Sequence, residues 1–375
     1  MVKDTFLLAF FQNGLLFLPD MNKTEYRIVG VMSGTSLDGI DLVYVSFYNK
    51  IGSWSFKINS SETVAYPKKW FNILKHLVSK SIKEVAEIDA NYTQFLAKII
   101  KEFIKNNNIN DIDAVCSHGH TALHQPENKL TYQIGNLLSL YEILQETIVC
   151  NFRIQDVELG GQGAPLVPIG DALLFKDYEF CLNLGGFANI STEVDGKRIA
   201  YDICPVNIVL NYYVSFLKLD FDDEGKIAST GAIQKELLVT LNSLEFYKQN
   251  YPKSLGLEWV EREVLPIIDS FNLATKDILR TFVEHVAIQI AKEINKASIS
   301  KVLITGGGAY HEFLIERIQS KTSNKLIIPK NTLVEFKEAI VFGLLGVLKL
   351  REEINCLSSV TGAKHDHSSG IIYKH

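Results

Sequence analysis

The hydrophobic positions fall in short runs that end in polar, glycine-bearing turns. Arg27 to Met32 reads as a strand, ends in Ser33-Gly-Thr-Ser-Leu-Asp-Gly39, and is followed by a second strand-like run from Ile40 to Tyr48. Between Lys68 and Ile104, apolar residues recur at helical spacing (Ile82, Val85, Ile88, Phe95, Ile99, Phe103), which predicts two or more amphipathic helices. Asp113 to Cys116 and Thr147 to Cys150 are further short strands, each running into a polar loop that carries histidine or arginine. A second cycle begins at Phe180 to Leu184, turns through Gly185 and Gly186, and returns between Ile190 and Asp202 with Asp195-Gly196 as a hairpin turn. Lys301 to Ile304 is a buried strand leading into Thr305-Gly-Gly-Gly-Ala309 and a helix from about His311 to Ser320. The final helix, Ala339 to Leu350, is apolar on nearly every turn.

Two sets of paired strands, each broken by a glycine turn and followed by helical material, predict a duplicated α/β layout without an obvious internal sequence repeat. The chain has 375 residues, which suits two domains of about 150 to 200 residues each. The expected division is an N-terminal α/β domain over 21–160, a C-terminal α/β domain over 161–340, and a final helix and tail over 341–375. Residues 1–20 are expected to be an appendage outside the functional fold. Phe6 to Leu18 is apolar but interrupted by Gln12, Asn13 and Gly14, too short to span a membrane, and no small-x-small cleavage site follows before Met21.

Composition removes several classes of partner. Thirty-eight basic residues against forty-three acidic give a formal charge of -5, so no global basic field exists to hold a nucleic acid by counterion release. No membrane partner is expected either. The five cysteines are widely spaced, lack a C-x-x-C pair and sit mostly among apolar neighbours; they read as reduced core thiols of a cytoplasmic protein.

Three glycine-rich turns follow apolar strands: Ser33 to Gly39, Gly185-Gly186, and Gly306-Gly307-Gly308. Backbone without Cβ lets N–H groups surround phosphate oxygens, and none of the three has Walker A or dinucleotide spacing. A nucleotide would then lie between turns from two domains. Asp38 and Asp41 could reach Mg²⁺ directly or through water, or Asp38 could simply stabilise a hairpin. The string Ser117-His-Gly-His-Thr-Ala-Leu-His124 invites a zinc reading, but no fourth ligand of suitable spacing lies nearby; lining of a polar cleft by His118, His120 and Thr121 accounts for it better. The loop from Asn151 to Pro168 is too long and too polar for a plain connector. Within it Arg153 suits a carboxylate or phosphate. Asp156 and, just beyond the loop, Asp171 are rival acid-base candidates, with capping or loop packing as the alternative. Asp202, at a strand end, suits general-base work or an N-cap, and Glu338 suits a similar role or a helix-dipole contact.

Met32-Ser-Gly-Thr-Ser-Leu-Asp-Gly-Ile-Asp41, Ser117-His-Gly-His-Thr121, Gln133-Ile-Gly-Asn136, Gly160-Gly-Gln-Gly-Ala-Pro165, Leu182-Asn-Leu-Gly-Gly-Phe-Ala-Asn189, Thr305-Gly-Gly-Gly-Ala309 and Ser359-Val-Thr-Gly-Ala363 closely resemble, in order, the anhydro-N-acetylmuramic acid kinases. The resemblance runs from about Arg27 to Ala363 and implies an actin-like, sugar-kinase type of fold with two α/β domains around a cleft. It implies that ATP, water and 1,6-anhydro-N-acetylmuramic acid give ADP and N-acetylmuramic acid 6-phosphate in cytoplasmic recycling of cell-wall sugars, with a homodimer as the expected assembly. It makes Asp202, in Asp202-Ile-Cys-Pro-Val-Asn207, the general base, and Glu338 an acidic substrate contact. It assigns ATP phosphates and Mg²⁺ to Gly34, Thr35, Ser36, Leu37, Asp38, Gly39, Ile40 and Asp41, with Gly185, Gly186, Gly306, Gly307 and Gly308 completing the nucleotide site. Thr121, Arg153 and Asn207 would contact the sugar. Three departures stand out. Cys204 and Val206 replace glycines of the base segment, His120 stands where the family commonly has glutamine, and the family's arginine-rich run after the phenylalanine is thinned here to Arg153, with Ile154 and Gln155 following it. The first leaves open a kinase for another amino or anhydro sugar, or a nucleotide-binding sensor without catalysis, although such a sensor has no need of Asp202 and Glu338.

Overall fold

A computed structural model of the chain describes residues 23–34 and 37–374. The apolar N-terminal stretch, Thr35 and Ser36 therefore lie outside the described residues. Among the described residues, no helix is long and apolar enough to cross a membrane.

The strands are β1 (Glu25–Ser33), β2 (Ile40–Lys50), β3 (Ser53–Val64), β4 (Ala114–Gln125), β5 (Leu130–Ile134), β6 (Ile148–Cys150), β7 (Phe180–Leu184), β8 (Phe187–Val194), β9 (Lys197–Pro205), β10 (Lys301–Thr305), β11 (Lys325–Ile327) and β12 (Ile371–Tyr373). They form two sheets, ordered β12-β6-β4-β1-β2-β3, with β5 also on β4, and β11-β10-β7-β8-β9. In the first, β1, β2 and β3 run antiparallel while β4 and β6 extend the sheet parallel to β1. In the second, β7, β8 and β9 run antiparallel while β10 and β11 extend it parallel to β7. The two halves thus repeat one topology, which realises the duplicated layout that the strand pattern predicts. The turns after β1 and after β7 are topologically equivalent, and all three glycine turns sit at strand ends, where open α/β sheets bind ligands.

Each sheet is covered by helices. The Ile82–Asn106 helix starts with a reciprocal capping box between Ser81 and Glu84 and lays Val85, Tyr92, Leu96 and Phe103 on one face of the first sheet. The Thr275–Ile294 helix packs Leu279, Phe282, Val286 and Ile290 into the core of the second half. The last long helix spans Asn331–Leu350, two turns more than the apolar run predicts. Its first turns carry Glu335, Lys337 and Glu338 beside the cleft, so the continuous apolar signal begins only at Ala339. From there Ile340, Phe342, Leu344, Leu345 and Leu348 pack against the other face of the first sheet. All five cysteines are buried and unpaired, as expected of core thiols.

Candidate active site

A cavity of about 1030 Å³ opens between the two sheets. The pleat explains its floor. Strand pairing sets Asn183 opposite Asn189, Asn189 opposite Asp202, Cys181 opposite Ser191, and Ser191 opposite Ala200, so these residues share one face of the second sheet. All six line the cavity. Their neighbours Leu182, Ala188, Ile190 and Ile203 point the other way into the core.

Asp202 is therefore a cleft residue. The helix Asn207–Ser215 has Val206 at its N-cap, which removes the capping role for Asp202. Its Oδ2 accepts the Leu255 N–H at 2.8 Å, and its own N–H donates to the Lys253 carbonyl at 3.1 Å. Oδ1 keeps no protein partner among the described residues. Burial raises the Asp202 pKa, against the Leu255 hydrogen bond that lowers it, so the carboxylate gains proton affinity.

Glu338 lines the same cavity, well inside the helix and beyond its first turn, so it does not serve the helix dipole. Its side chain is exposed and faces the cleft. Burial raises its pKa, Arg153 and Lys337 oppose the rise, and Asp41 adds to it. Arg153 reaches the cavity from its polar loop. Its Nε donates to His118 Nε2 at 2.9 Å and its Nη1 to the Gly163 carbonyl at 2.6 Å. Lys337, beside Glu338, pairs with Asp171 at 2.7 Å, and both line the cavity.

Gly34, Asp38, Gly39 and Asp41 line the cavity from the turn after β1 and the start of β2. Asp41 Oδ1 accepts the Thr63 hydroxyl at 2.6 Å, which leaves its second oxygen open. Burial raises its pKa against that hydrogen bond, and the charges of Asp38 and Glu335 add to the rise. Two carboxylates with an unfilled lone-pair side are a donor set that suits a hydrated Mg²⁺. Gly306 and Gly307 line the cavity as well. Gly306 has φ +83°, and a Cβ there would lie 2.6 Å from Asn183 Oδ1, so only glycine fits.

Several expected site residues stand elsewhere. Ile40 is fully buried in the core of the first half, and Leu37, at φ +64°, packs against the same core; neither side chain lines the cavity. Gly185, Gly186 and Gly308 are set back from it. Asn207 lies between two glycine turns: its N–H donates to the Gly185 carbonyl at 3.3 Å, and its Oδ1 would be 3.5 Å from a Cβ on Gly308. That position belongs with the glycine turns, and Asn207 does not line the cavity. Thr121 is on β4 outside the lining, whereas His124 on the same strand is part of it. Asp156 is wholly buried: Oδ2 accepts Gly163 N–H at 2.7 Å, and Oδ1 accepts Thr361 Oγ1 at 2.6 Å and Cys356 Sγ at 3.4 Å. It fastens the glycine loop to the C-terminal segment and has no access to the cleft. Asp156, Cys356 and His367 come close enough to share an ion, but burial pushes the Cys356 thiol up, and as a thiol it serves as a donor to Asp156. Sequence reasoning missed Lys337 and the Pro252–Leu255 loop. Neither carries a local signal, whereas Asn183 and Asn189 could be found as polar positions in an alternating apolar run.

Two sheets of repeated topology, a cleft between them, facing glycine turns and a carboxylate on the cleft floor define a duplicated α/β fold with a ligand cleft between its halves. The family model for anhydro-N-acetylmuramic acid kinase matches residues 26–375. An anhydro-N-acetylmuramic acid kinase of Francisella tularensis subsp. novicida is 31% identical over 91% of this chain and 97% of its own. One of Sulfurimonas denitrificans is 30% identical over 92% of this chain and 99% of its own. The chain belongs to the anhydro-N-acetylmuramic acid kinase family.

Proposed function

We propose that the cleft binds ATP and 1,6-anhydro-N-acetylmuramic acid and couples opening of the anhydro ring by water to phosphorylation of O6. The substrate's C1–O6 bond breaks as a water oxygen bonds to C1. O6 takes the γ-phosphoryl group as the bond from that phosphorus to the β-phosphate bridging oxygen breaks, giving ADP and N-acetylmuramic acid 6-phosphate.

Asp202 accepts the proton of the attacking water. The observation that carries this reading is its free Oδ1 on the cleft floor, held in orientation by the Leu255 N–H on Oδ2. A raised pKa brings such a base nearer to the working pH. Glu338 orients the water or the sugar, and the Arg153 guanidinium contacts a polar group of the sugar. Gly34, Gly39, Gly306 and Gly307 receive the phosphates, with Asn207 fixing the turns behind them. Asp38 and Asp41 would hold Mg²⁺, partly through water; when bound, the ion neutralises charge on the β- and γ-phosphate oxygens.

The unusual base segment supports the family substrate rather than another sugar. Cys204 and Val206 are both fully buried in the core behind the second sheet, so their added bulk does not narrow the cleft. We place the protein in the cytoplasm, where cell-wall sugars are recycled, as a homodimer.

The test is ADP release with Mg-ATP, with and without 1,6-anhydro-N-acetylmuramic acid, while the sugar product is followed by mass. Sugar-dependent ADP and a product heavier by one water and one phosphoryl group are expected. ADP release that ignores the sugar would overturn the reading.

A further inference from the structure

The histidine string on β4 does not gather into one site, because Gly119 divides it. Register between β1 and β4 shifts between Val31 and Ser33, where Val31 faces Ser117 but Ser33 faces His120. Gly119, at φ +73°, is the added residue of this bulge, and a Cβ on it would lie 2.6 Å from Asn136 Nδ2 and from the Ile134 carbonyl. Asn136 Nδ2 in turn donates to the His118 carbonyl at 3.0 Å. In a regular strand His118 and His120 would share a face. Here His120 turns to Ser33, Tyr66 and Tyr92, while His118 turns to Phe342 and Arg153.

The proton on His118 is fixed by its surroundings. Its Nδ1 lies 2.8 Å from the Gly119 carbonyl, which can only accept, so Nδ1 carries the hydrogen and Nε2 presents a lone pair. Arg153 has donors only, and its Nε–H meets that lone pair at 2.9 Å. With Nη1 on the Gly163 carbonyl and the Phe342 ring 5.7 Å below the guanidinium, only the Nη2 edge has no protein partner among the described residues. Burial, then the Arg153 charge, holds His118 well below the ordinary histidine range, so the acceptor persists at acidic pH.

We propose that His118 is a positioning residue: held neutral as the Nδ1–H tautomer, it clamps Arg153 so that the guanidinium edge left open by His118 and Gly163 serves the sugar. This rests on the reading of Arg153 as a sugar contact. The clamp acts through Arg153 and touches neither substrate nor nucleotide.

Glutamine places a carbonyl oxygen near the position of Nε2, whereas asparagine reaches only as far as Nδ1. Steady-state kinetics and thermal unfolding of His118→Gln, His118→Asn, His118→Leu and Arg153→Ala test the clamp. His118→Asn and His118→Leu are expected to raise KM for the anhydro sugar about tenfold or more, with KM for ATP within about twofold; these are the scales of one lost charge-assisted hydrogen bond. His118→Gln is expected to restore sugar KM to within about threefold. If Arg153→Ala leaves sugar KM unchanged, Arg153 does not contact the sugar and the clamp has no function. If Arg153→Ala raises sugar KM while His118→Asn and His118→Leu match the wild type, the clamp alone is overturned. Equal losses in all three His118 variants, with a falling melting temperature, would also overturn it and make His118 a packing residue. Should His118→Leu fail to fold, the Gln and Asn pair decides the matter.

Discussion

Lys337 and Asp171 form an ion pair of 2.7 Å across the cleft wall, joining the Asn331–Leu350 helix to the Pro168–Leu174 helix. Both side chains are almost wholly enclosed, and the Phe175 ring lies 5.5 Å from the ammonium. Burial is the largest influence and lowers the Lys337 pKa, yet the charge and hydrogen bond of Asp171, together with Cys181 and Glu338, outweigh it and the pKa is raised. The pair fixes the helix turn that presents Glu338 to the cleft.

Removing one member strands the other charge. Asp171→Asn is expected to cost about 3 to 5 kcal/mol, the scale for breaking a buried ion pair, whereas the double change of Asp171→Leu with Lys337→Met should recover most of it. Urea unfolding measures both. A single-variant loss below about 1 kcal/mol would show that water reaches the pair and solvates it.

Asp202→Asn keeps the shape of the carboxylate and its contact with the Leu255 N–H but removes the proton acceptor. Turnover is expected to fall at least about a hundredfold, the usual scale for a general base. ATP binding by calorimetry should stay within about threefold. Unchanged turnover would take Asp202 out of the reaction.

The pH dependence follows from the same burial. The base acts as a carboxylate, so activity falls as pH drops through the Asp202 pKa. Because that pKa is raised chiefly by desolvation, the acidic limb of kcat should lie above the value of about 3.9 for a free aspartate. Stability moves in the opposite sense. A group whose folded pKa is raised binds its proton more tightly in the folded state, so its ionised form opposes folding and this penalty fades as pH falls. Wild-type protein should therefore gain stability relative to Asp202→Asn between about pH 7 and pH 4. An acidic limb at or below that of a free aspartate would contradict the enclosed site.

Much of this was legible because the chemistry sits where strands end. Gly34, Asp38, Asp41, Asp202, Gly306 and Gly307 all follow or close apolar runs, and the structure brings all six to one cavity. What escaped depends on partners far away in the chain. Asp156 looks like an acid-base candidate until Gly163, Cys356 and Thr361 fold onto it. Cys204 and Val206 look like intrusions beside the base until a bulge at Ile203 in β9 breaks the alternation and puts Cys204 in the core, with Val206 following it there as the N-cap of the next helix. Likewise, no local pattern reveals that Gly119 separates His118 from His120, because the bulge exists only against β1.

The glycine turn after β10 allows its shape and its binding role to be separated. At Gly306, φ is +83° and a Cβ would meet Asn183 Oδ1 at 2.6 Å and the Leu184 carbonyl at 2.8 Å. Gly306→Ala should thus cost on the order of 1 to 3 kcal/mol of strain and lower the melting temperature. At Gly307 the nearest atom to a Cβ is Asn207 Nδ2 at 3.9 Å, so Gly307→Ala should fold with wild-type stability. Its methyl group would nevertheless stand in the cavity wall, where backbone must approach phosphate closely. ATP affinity is expected to fall about tenfold in Gly307→Ala, measured by calorimetry, with the melting temperature of the free protein unchanged. Wild-type ATP affinity in a normally folded Gly307→Ala protein would mean that phosphate is held by the turn after β1 and does not reach the turn after β10.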